Sequence, residues 1–181
     1  VFHHGVDEWR DSIHSFCVPS IANLYLRWWK PLEPGKNRAP SVDPILGDHL
    51  DGFNNKVTAI AVANPSPQKG GDRLTTRAAG FGITRINKKT RDVTFICWPR
   101  NIDVTSKDAK PYPGWPYTFN QLDNYGRKAV AYLPSLQINK SNQVVQVINE
   151  KTGEIIYTLR IKGTEFRPKV FANGTYTINV G

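Results

Sequence analysis

The sequence predicts a mainly β protein, and three observations lead to that fold class. First, Val57 to Ala63 is a nearly continuous apolar run, which is typical of a strand that is covered on both faces. Second, the polar residues 87–90 separate two apolar runs, 81–86 and 93–98, and this arrangement indicates a β-hairpin. Third, apolar and polar residues alternate from Ile155 to Lys162, which is the period of a half-buried strand.

The N-terminal third gives weaker signals. Val6 to His14 is the best helix candidate, because Asp7 and Glu8 would stand near its start. The segment 15–18 is predicted to be a short buried strand that ends at Pro19. Residues 21–29 are densely apolar and aromatic, and they fit either a short helix or an irregular packed segment.

Two stretches rich in proline and glycine are predicted to be loops. The first runs from Lys30 to Asn55, and the second from 99 to 126. Beyond the second loop the pattern becomes regular, with predicted strands at 129–132, 144–148, 155–162 and 175–180. These short strands, joined by turn residues, favour a small antiparallel β-sandwich over 127–181.

Composition narrows the classes of function. The net charge is +9, but the 24 basic residues are spread along the chain rather than gathered into an arm or stripe, so we expect no nucleic-acid partner. No run of about 20 apolar residues exists, so we expect no membrane span. Residues 1–5 do not have the pattern of a signal peptide and the chain holds no Met, so we expect it to be part of a longer protein.

The chain has two cysteines, Cys17 and Cys97. One pair in 181 residues is neither a disulfide scaffold nor a zinc-binding spacing. A single disulfide would form in an oxidising compartment, and two buried free thiols are the favoured alternative.

Several segments resemble the C-terminal region of alkaline phosphatase D-like metallophosphoesterases, in particular a bacterial subgroup with long chains. The resemblance covers most of the chain and rests on these segments: Phe16-Cys17-Val18-Pro19-Ser20-Ile21, Ala79-Gly80-Phe81-Gly82-Ile83, Phe95-Ile96-Cys97-Trp98-Pro99-Arg100, Gly114-Trp115-Pro116, Asp123-Asn124-Tyr125-Gly126-Arg127, Tyr157-Thr158-Leu159-Arg160-Ile161 and Arg167-Pro168-Lys169-Val170-Phe171.

The resemblance implies an α/β/β/α sandwich with a two-metal site, most of it upstream of Val1. Its last metal-ligand segment would fall just before Val1. Residues 1–105 would then supply the closing strands of that sandwich, 106–126 a linker loop rich in proline, glycine and aromatic residues, and 127–181 an accessory β-sandwich. The resemblance also implies an extracytoplasmic location, periplasmic or secreted. It implies divalent metal ions in the parent protein and no cofactor in this chain.

Candidate site residues are few. No catalytic residue is assigned, since the chain has no phosphate loop, dinucleotide motif or nucleophile elbow. His3 and His4 are adjacent, so on a strand they point to opposite faces and do not readily share one metal. A structural role is expected for them, with the alternative that His4 and Asp7 contact the metal ligands of the parent enzyme.

For two further groups of residues, a binding function is an alternative to a purely structural role. Asp48, His49 and Asp51 have the side chains of a small cation site, although loops carry such residues often. Trp28, Trp29 and Trp115 offer a sugar-stacking platform, although burial over the core is the commoner use of such rings.

Two hypotheses of function follow from the sequence. The first is the C-terminal, non-catalytic part of a secreted bacterial metal-dependent phosphoesterase, which acts on phosphomonoesters or phosphodiesters. Its partner would be the upstream catalytic portion or a second copy of the chain, because strand 56–63 would otherwise expose unpaired backbone. The alternative is a stand-alone β-rich carbohydrate-binding or adhesion module that uses the tryptophans.

Overall fold

The computed structural model describes residues 1–18, 29–63, 80–100 and 102–181. Within these ranges the protein is mainly β, and all the strand pairs are antiparallel. The chain divides into two units, Val1–Arg127 and Lys128–Gly181. The apolar segment predicted at 21–29 lies outside the described residues except for Trp29.

The first unit contains two sheets. The strands of the four-stranded sheet, in the order β2-β1-β4-β3, are β1 (Phe2–Gly5), β2 (His14–Ser15), β3 (Gly47–Leu50) and β4 (Lys56–Ala59). The strands of the three-stranded sheet, in the order β5-β6-β7, are β5 (Gly80–Ile86), β6 (Asp92–Pro99) and β7 (Tyr117–Asn120). A 3-10 helix, Gln121–Tyr125, follows β7.

The core of the first unit joins the three-stranded sheet, the loop before β7 and the residues next to β1 and β4. Its buried members are Val1, Ala61, Phe95, Cys97, Trp115 and Phe119. Gly82 of β5 pairs with Cys97, and a Cβ atom at Gly82 would stand 2.0 Å from the Cγ1 atom of Val18 and 2.9 Å from the Cε1 atom of Phe16. Glycine is therefore required where the segment 16–18 crosses β5.

Strand β4 is central, and its backbone pairs with β1 on one edge and with β3 on the other. The first part of the apolar run at 57–63 thus lies in a central strand, as predicted, but the strand ends at Ala59 rather than Ala63. The expectation that this strand would expose unpaired backbone is wrong, because residues of the same chain fill both edges.

The hairpin of β5 and β6 is confirmed, with Ile83 opposite Ile96 and a turn at 87–91. Asn87 shapes this turn: its Oδ1 atom accepts the backbone N–H of Lys89 at 3.0 Å. The side chain thus replaces part of the hydrogen bonding that the strands lose at the turn.

The predicted helix at 6–14 is wrong. In its place the chain makes a tight loop around Asp11, whose carboxylate accepts the backbone N–H groups of Val6, Asp7 and Glu8 at 2.6, 3.0 and 2.8 Å. A buried carboxylate that takes these donors competes directly with helical hydrogen bonding.

The strand predicted at 15–18 is also shorter than expected, since it ends at Ser15 and leaves Cys17 and Val18 exposed.

Both predicted loops contain regular structure. Strand β3 lies inside 30–55, and β7 with the 3-10 helix lies inside 106–126, which is therefore part of the first unit rather than a free linker. Alternation explains β7: Phe119 is buried in the core, whereas its neighbour Thr118 is exposed.

Neither cysteine forms a disulfide, and burial raises the pKa of the Cys97 thiol to about 11.

The second unit is built from one sheet and two short ribbons. The sheet has the order β11-β10-β14 and comprises β10 (Val144–Asn149), β11 (Ile155–Arg160) and β14 (Tyr176–Val180). The ribbons pair β8 (Ala131–Tyr132) with β13 (Lys169–Val170) and β9 (Leu136–Gln137) with β12 (Glu165–Phe166).

The core of the second unit follows the predicted inward face only in part. Val145 and Val147 are completely buried on β10, and Leu159 is buried beside them on β11. Alternation along 155–162 and 175–180 predicts that Tyr157, Tyr176, Ile178 and Val180 point inward with Leu159. The first three are only partly buried and Val180 is exposed, so the predicted burial is wrong for β14. A unit of this size has too little core to cover every inward residue.

We expect Leu159→Ala to lower the free energy of unfolding of the second unit by about 2 kcal/mol, because it removes packing against Val145. Urea unfolding followed by circular dichroism measures this change. Thr158→Ala, on the exposed face of the same strand, should change it by less than about 0.5 kcal/mol. Equal effects of the two variants would show that Leu159 contributes nothing to the core.

Candidate functional site

A cluster of polar and aromatic rings at the paired strands β1 and β2 is the most organised group of titratable side chains in the described residues. His3 lies opposite His14 in the strand register, and the two imidazole rings stack with their centroids 3.7 Å apart. Phe119 of β7 stacks on His14, with a centroid separation of 3.9 Å. The cluster is therefore built by the N-terminal hairpin and β7 together.

Hydrogen bonds fix the tautomer of His14. Its Nδ1 atom lies 3.2 Å from Oδ1 of Asn124, which also accepts the backbone N–H of His14 at 3.1 Å. Because an amide oxygen only accepts, Nδ1 carries the proton. The Nε2 atom then accepts the hydroxyl proton of Tyr117 at 3.0 Å.

Both histidines are neutral near pH 7. Burial lowers the pKa of His3 to about 4, and the neighbouring His14 adds to that shift. Burial also lowers the pKa of His14, although its hydrogen bond to Asn124 and the charge of Asp123 act in the opposite direction. The Nε2 atom of His3 lies 3.1 Å from the carbonyl oxygen of Ser12, so it donates its proton there.

The arrangement favours a structural role for these rings. The ring nitrogen of His14 that could act as a base is already bonded to Tyr117, and His3 is only 8% exposed. The two neutral imidazole rings therefore hold the hairpin of β1 and β2 against β7. They do so without bringing a charge into the core.

The predicted pair of His4 and Asp7 is engaged elsewhere. The Nε2 atom of His4 lies 2.8 Å from the hydroxyl oxygen of Ser15. The carboxylate of Asp7 pairs with the guanidinium of Arg127, with 2.9 Å between Oδ2 and Nε. The structure thus gives each residue its own partner.

The Asp48, His49 and Asp51 group does not converge on one point. Asp48 is buried and accepts hydrogen bonds from Thr58 at 2.6 Å, from Asn37 at 2.9 Å and from Arg10 at 3.1 Å. Burial disfavours the charged carboxylate and on its own would raise the pKa of Asp48. The three hydrogen bonds outweigh burial, so the pKa of Asp48 lies below its usual value.

The other two members of that group serve the chain locally. His49 has its Nε2 atom 3.0 Å from the carbonyl oxygen of Ile45, and Asp51 accepts the backbone N–H groups of Phe53 and Asn55 in a turn. In the described ranges no three His, Cys, Asp or Glu side chains come close enough together to hold a metal ion.

The tryptophans do not form an exposed platform in the described residues. Trp115 is only 9% exposed and belongs to the core, so its ring has no free face for a sugar. Trp29 packs edge-on against Phe2 and His49, with centroid separations of 5.3 and 5.0 Å. Trp28 lies outside the described residues.

Sequence reasoning did not find the cluster around His14. His14 and Asn124 are 110 residues apart in sequence, and each occurs in an unremarkable local context. One usable signal existed, because Asn124 belongs to the Asp123–Arg127 segment that carries the family resemblance.

No family model matches this chain, and the searches of curated proteins and of solved structures found no similar protein. In the part of the chain that the structure describes, no helix is long and apolar enough to cross a membrane.

Proposed function

We propose that the chain is the C-terminal, non-catalytic part of a secreted bacterial metal-dependent phosphoesterase similar to the alkaline phosphatase D-like enzymes. In this proposal an upstream segment and its divalent metal ions hydrolyse phosphomonoesters or phosphodiesters. This chain supplies the strands that hold the end of that segment in place.

The proposal rests on the contacts of Asp123–Arg127, one of the segments that carry the family resemblance. Asn124 fixes His14, and Arg127 pairs with Asp7, so the Asp123–Arg127 segment holds both ends of the loop between β1 and β2. Asp123 in turn accepts the backbone N–H of Asn120 at 2.8 Å, which fixes the start of the 3-10 helix.

These contacts matter because of what the resemblance implies about β1. The last metal-ligand segment of such an enzyme would fall immediately before Val1 and would continue into this strand. Val1 is itself buried, and its carbonyl oxygen accepts the backbone N–H of Ile60 at 2.9 Å. A strand fixed at this point would hold the preceding ligands in position, which is what a metal site needs from its surroundings.

Metal ions in such a site polarise the phosphoryl oxygen and supply hydroxide at neutral pH. The described side chains of this protein serve that chemistry only by positioning. The tryptophan-based carbohydrate-binding alternative has less support, because the core buries Trp115.

Antibodies raised against the chain test the proposal on the native protein. We expect them to deplete metal-dependent hydrolysis of bis(p-nitrophenyl) phosphate from the extracytoplasmic fraction of the producing bacterium. Mass spectrometry of the captured polypeptide should find Asp, Asn and His ligand motifs upstream of Val1. Capture of a polypeptide without such motifs, with the hydrolysis left in solution, would refute the proposal.

A pair of variants in that longer protein tests the positioning role. Asn124→Ala should lower both the bound metal and kcat, because it releases His14 and with it β1. Asn139→Ala, an exposed change in the second unit, should alter neither. Metal content by atomic absorption and the kinetics of hydrolysis measure the two effects, and unchanged values for Asn124→Ala would contradict the role.

A further inference from the structure

One outer face of the second unit carries alternating basic and aromatic side chains. Along residues 165–171 the inward positions are the buried or partly buried Phe166, Pro168 and Val170. Alternation in an extended chain therefore turns the intervening side chains outward. Three of these are Arg167, which is exposed, and Lys169 and Phe171, which are partly buried, the ring of Phe171 lying 6.2 Å from that of Tyr157.

Strand β8 adds an aromatic ring to the same face. Tyr132 pairs with Lys169 across the ribbon and is 56% exposed. The guanidinium carbon of Arg167 lies 5.3 Å from the centroid of the Tyr132 ring, and the Nζ atom of Lys169 lies 5.6 Å from the centroid of the Phe171 ring. We call these four residues the basic–aromatic face.

The ring contacts organise the two cations. A cation over an aromatic face is held in position and loses part of its hydration. Burial also disfavours the charged form of Lys169 and lowers its pKa. An incoming anion would offset that loss of hydration, and the planar guanidinium of Arg167 can present two parallel N–H donors to a carboxylate or sulfate.

The charge of the surrounding unit favours an anion. Residues 128–181 contain seven Lys and Arg and three Asp and Glu, which gives a side-chain charge of +4 (7 − 3). One of the three acids, Glu165, stands at the end of the row, two residues before Arg167. The face is therefore basic at its centre, with acidic character only at one end.

We propose that the basic–aromatic face binds an anionic polysaccharide through its carboxylate or sulfate groups. This inference goes beyond the proposed phosphoesterase role and does not depend on it. It also differs from the tryptophan platform, since it uses Tyr132 and Phe171 with two cations.

A polysaccharide suits the geometry better than a single-stranded nucleic acid. Nucleic-acid bases bind such surfaces by stacking on open aromatic faces. Here Arg167 lies over one face of Tyr132 and Lys169 over one face of Phe171. A sugar chain instead needs the outward N–H donors for its anions and an apolar neighbour such as Val130, which is 58% exposed.

Binding of the full 181-residue chain to defined polymers tests this proposal. We expect immobilised dextran sulfate and polygalacturonate to retain the protein and neutral dextran not to retain it. Arg167→Gln with Lys169→Gln should weaken binding about tenfold or more, the size expected when two charge-assisted contacts are lost. The matched control, Lys140→Gln with Lys151→Gln, removes the same charge from exposed positions elsewhere in the unit and should weaken binding less than about threefold.

Thermal unfolding checks that both double variants are folded. If the first is not, Arg167→Gln alone replaces it, because that side chain is exposed, and we expect a several-fold loss. Three results would overturn the proposal: equal weakening by the two double variants, tighter binding of an oligothymidylate of equal charge, or no retention by either anionic polysaccharide.

Discussion

Asp11→Ala is expected to lower the free energy of unfolding of the first unit by about 3 kcal/mol. Asp11 is only 5% exposed, and its carboxylate accepts three backbone N–H groups from residues 6–8. Burial works against its charge, but the N–H donors of Val6, Glu8 and Asp7 outweigh that cost and hold its pKa below the usual value. Without the carboxylate these three donors lose the hydrogen bonds that it accepts.

Urea unfolding at neutral pH measures the loss. Asp51→Ala is the matched control, because Asp51 also accepts backbone N–H groups but in a fully exposed turn where water can replace it. We expect a much smaller effect there. A loss at Asp11 no larger than that at Asp51 would show that the loop does not depend on the carboxylate.

The second large effect is a loss of stability in acid. Burial and the neighbouring His14 lower the pKa of His3 from 6.5 to about 4, so the unfolded chain binds a proton at a pH where the folded one does not. Stability is therefore fully present above pH 6.5 and is lost as the pH falls toward about 4. The loss from His3 is on the order of 3 kcal/mol, and the lowered pKa of His14 adds to it with the same sign.

Burial, rather than the groups that face His3, sets the direction of this shift. Arg10 lowers the pKa of His3, whereas Asp123 and the carbonyl of Ser12 raise it, and the effect of burial is larger than that of any of these groups.

His3→Phe keeps a flat ring against His14 and removes the titration, so its unfolding free energy should depend less on pH. His49→Phe, outside the cluster, should keep the wild-type dependence. Unfolding curves between about pH 7 and pH 4 compare the three proteins, and an identical pH dependence of His3→Phe and the wild type would contradict the account.

Much of the sheet structure could be predicted from the sequence because it is local. The β5 and β6 hairpin has a polar turn between two apolar runs, and β10 and β11 show a similar arrangement. In each case the residues that pair are close in sequence, so their pattern contains both the strands and the turn.

The rest could not be predicted, because it depends on contacts between distant residues. The negative charges at 6–14 suggested the start of a helix, but Asp11 uses its carboxylate to hold a loop. The cluster around His14 needs Tyr117 and Asn124, which no period in the sequence links to the N-terminal strands. Burial of Trp115 likewise depends on core residues that are far from it in sequence, such as Val1 and Ala61.

The central place of β4 has a consequence for how the first unit forms. Its pairing with β3 closes a short hairpin, since Leu50 lies opposite Lys56, whereas its pairing with β1 joins Phe2 to Ala59. The second contact requires a much longer loop to close, and the entropy of closure makes such contacts slower. During synthesis on the ribosome the first strand therefore waits, without its sheet partner, until more than fifty further residues have emerged. The β3–β4 hairpin, which closes first, is then the template on which β1 docks.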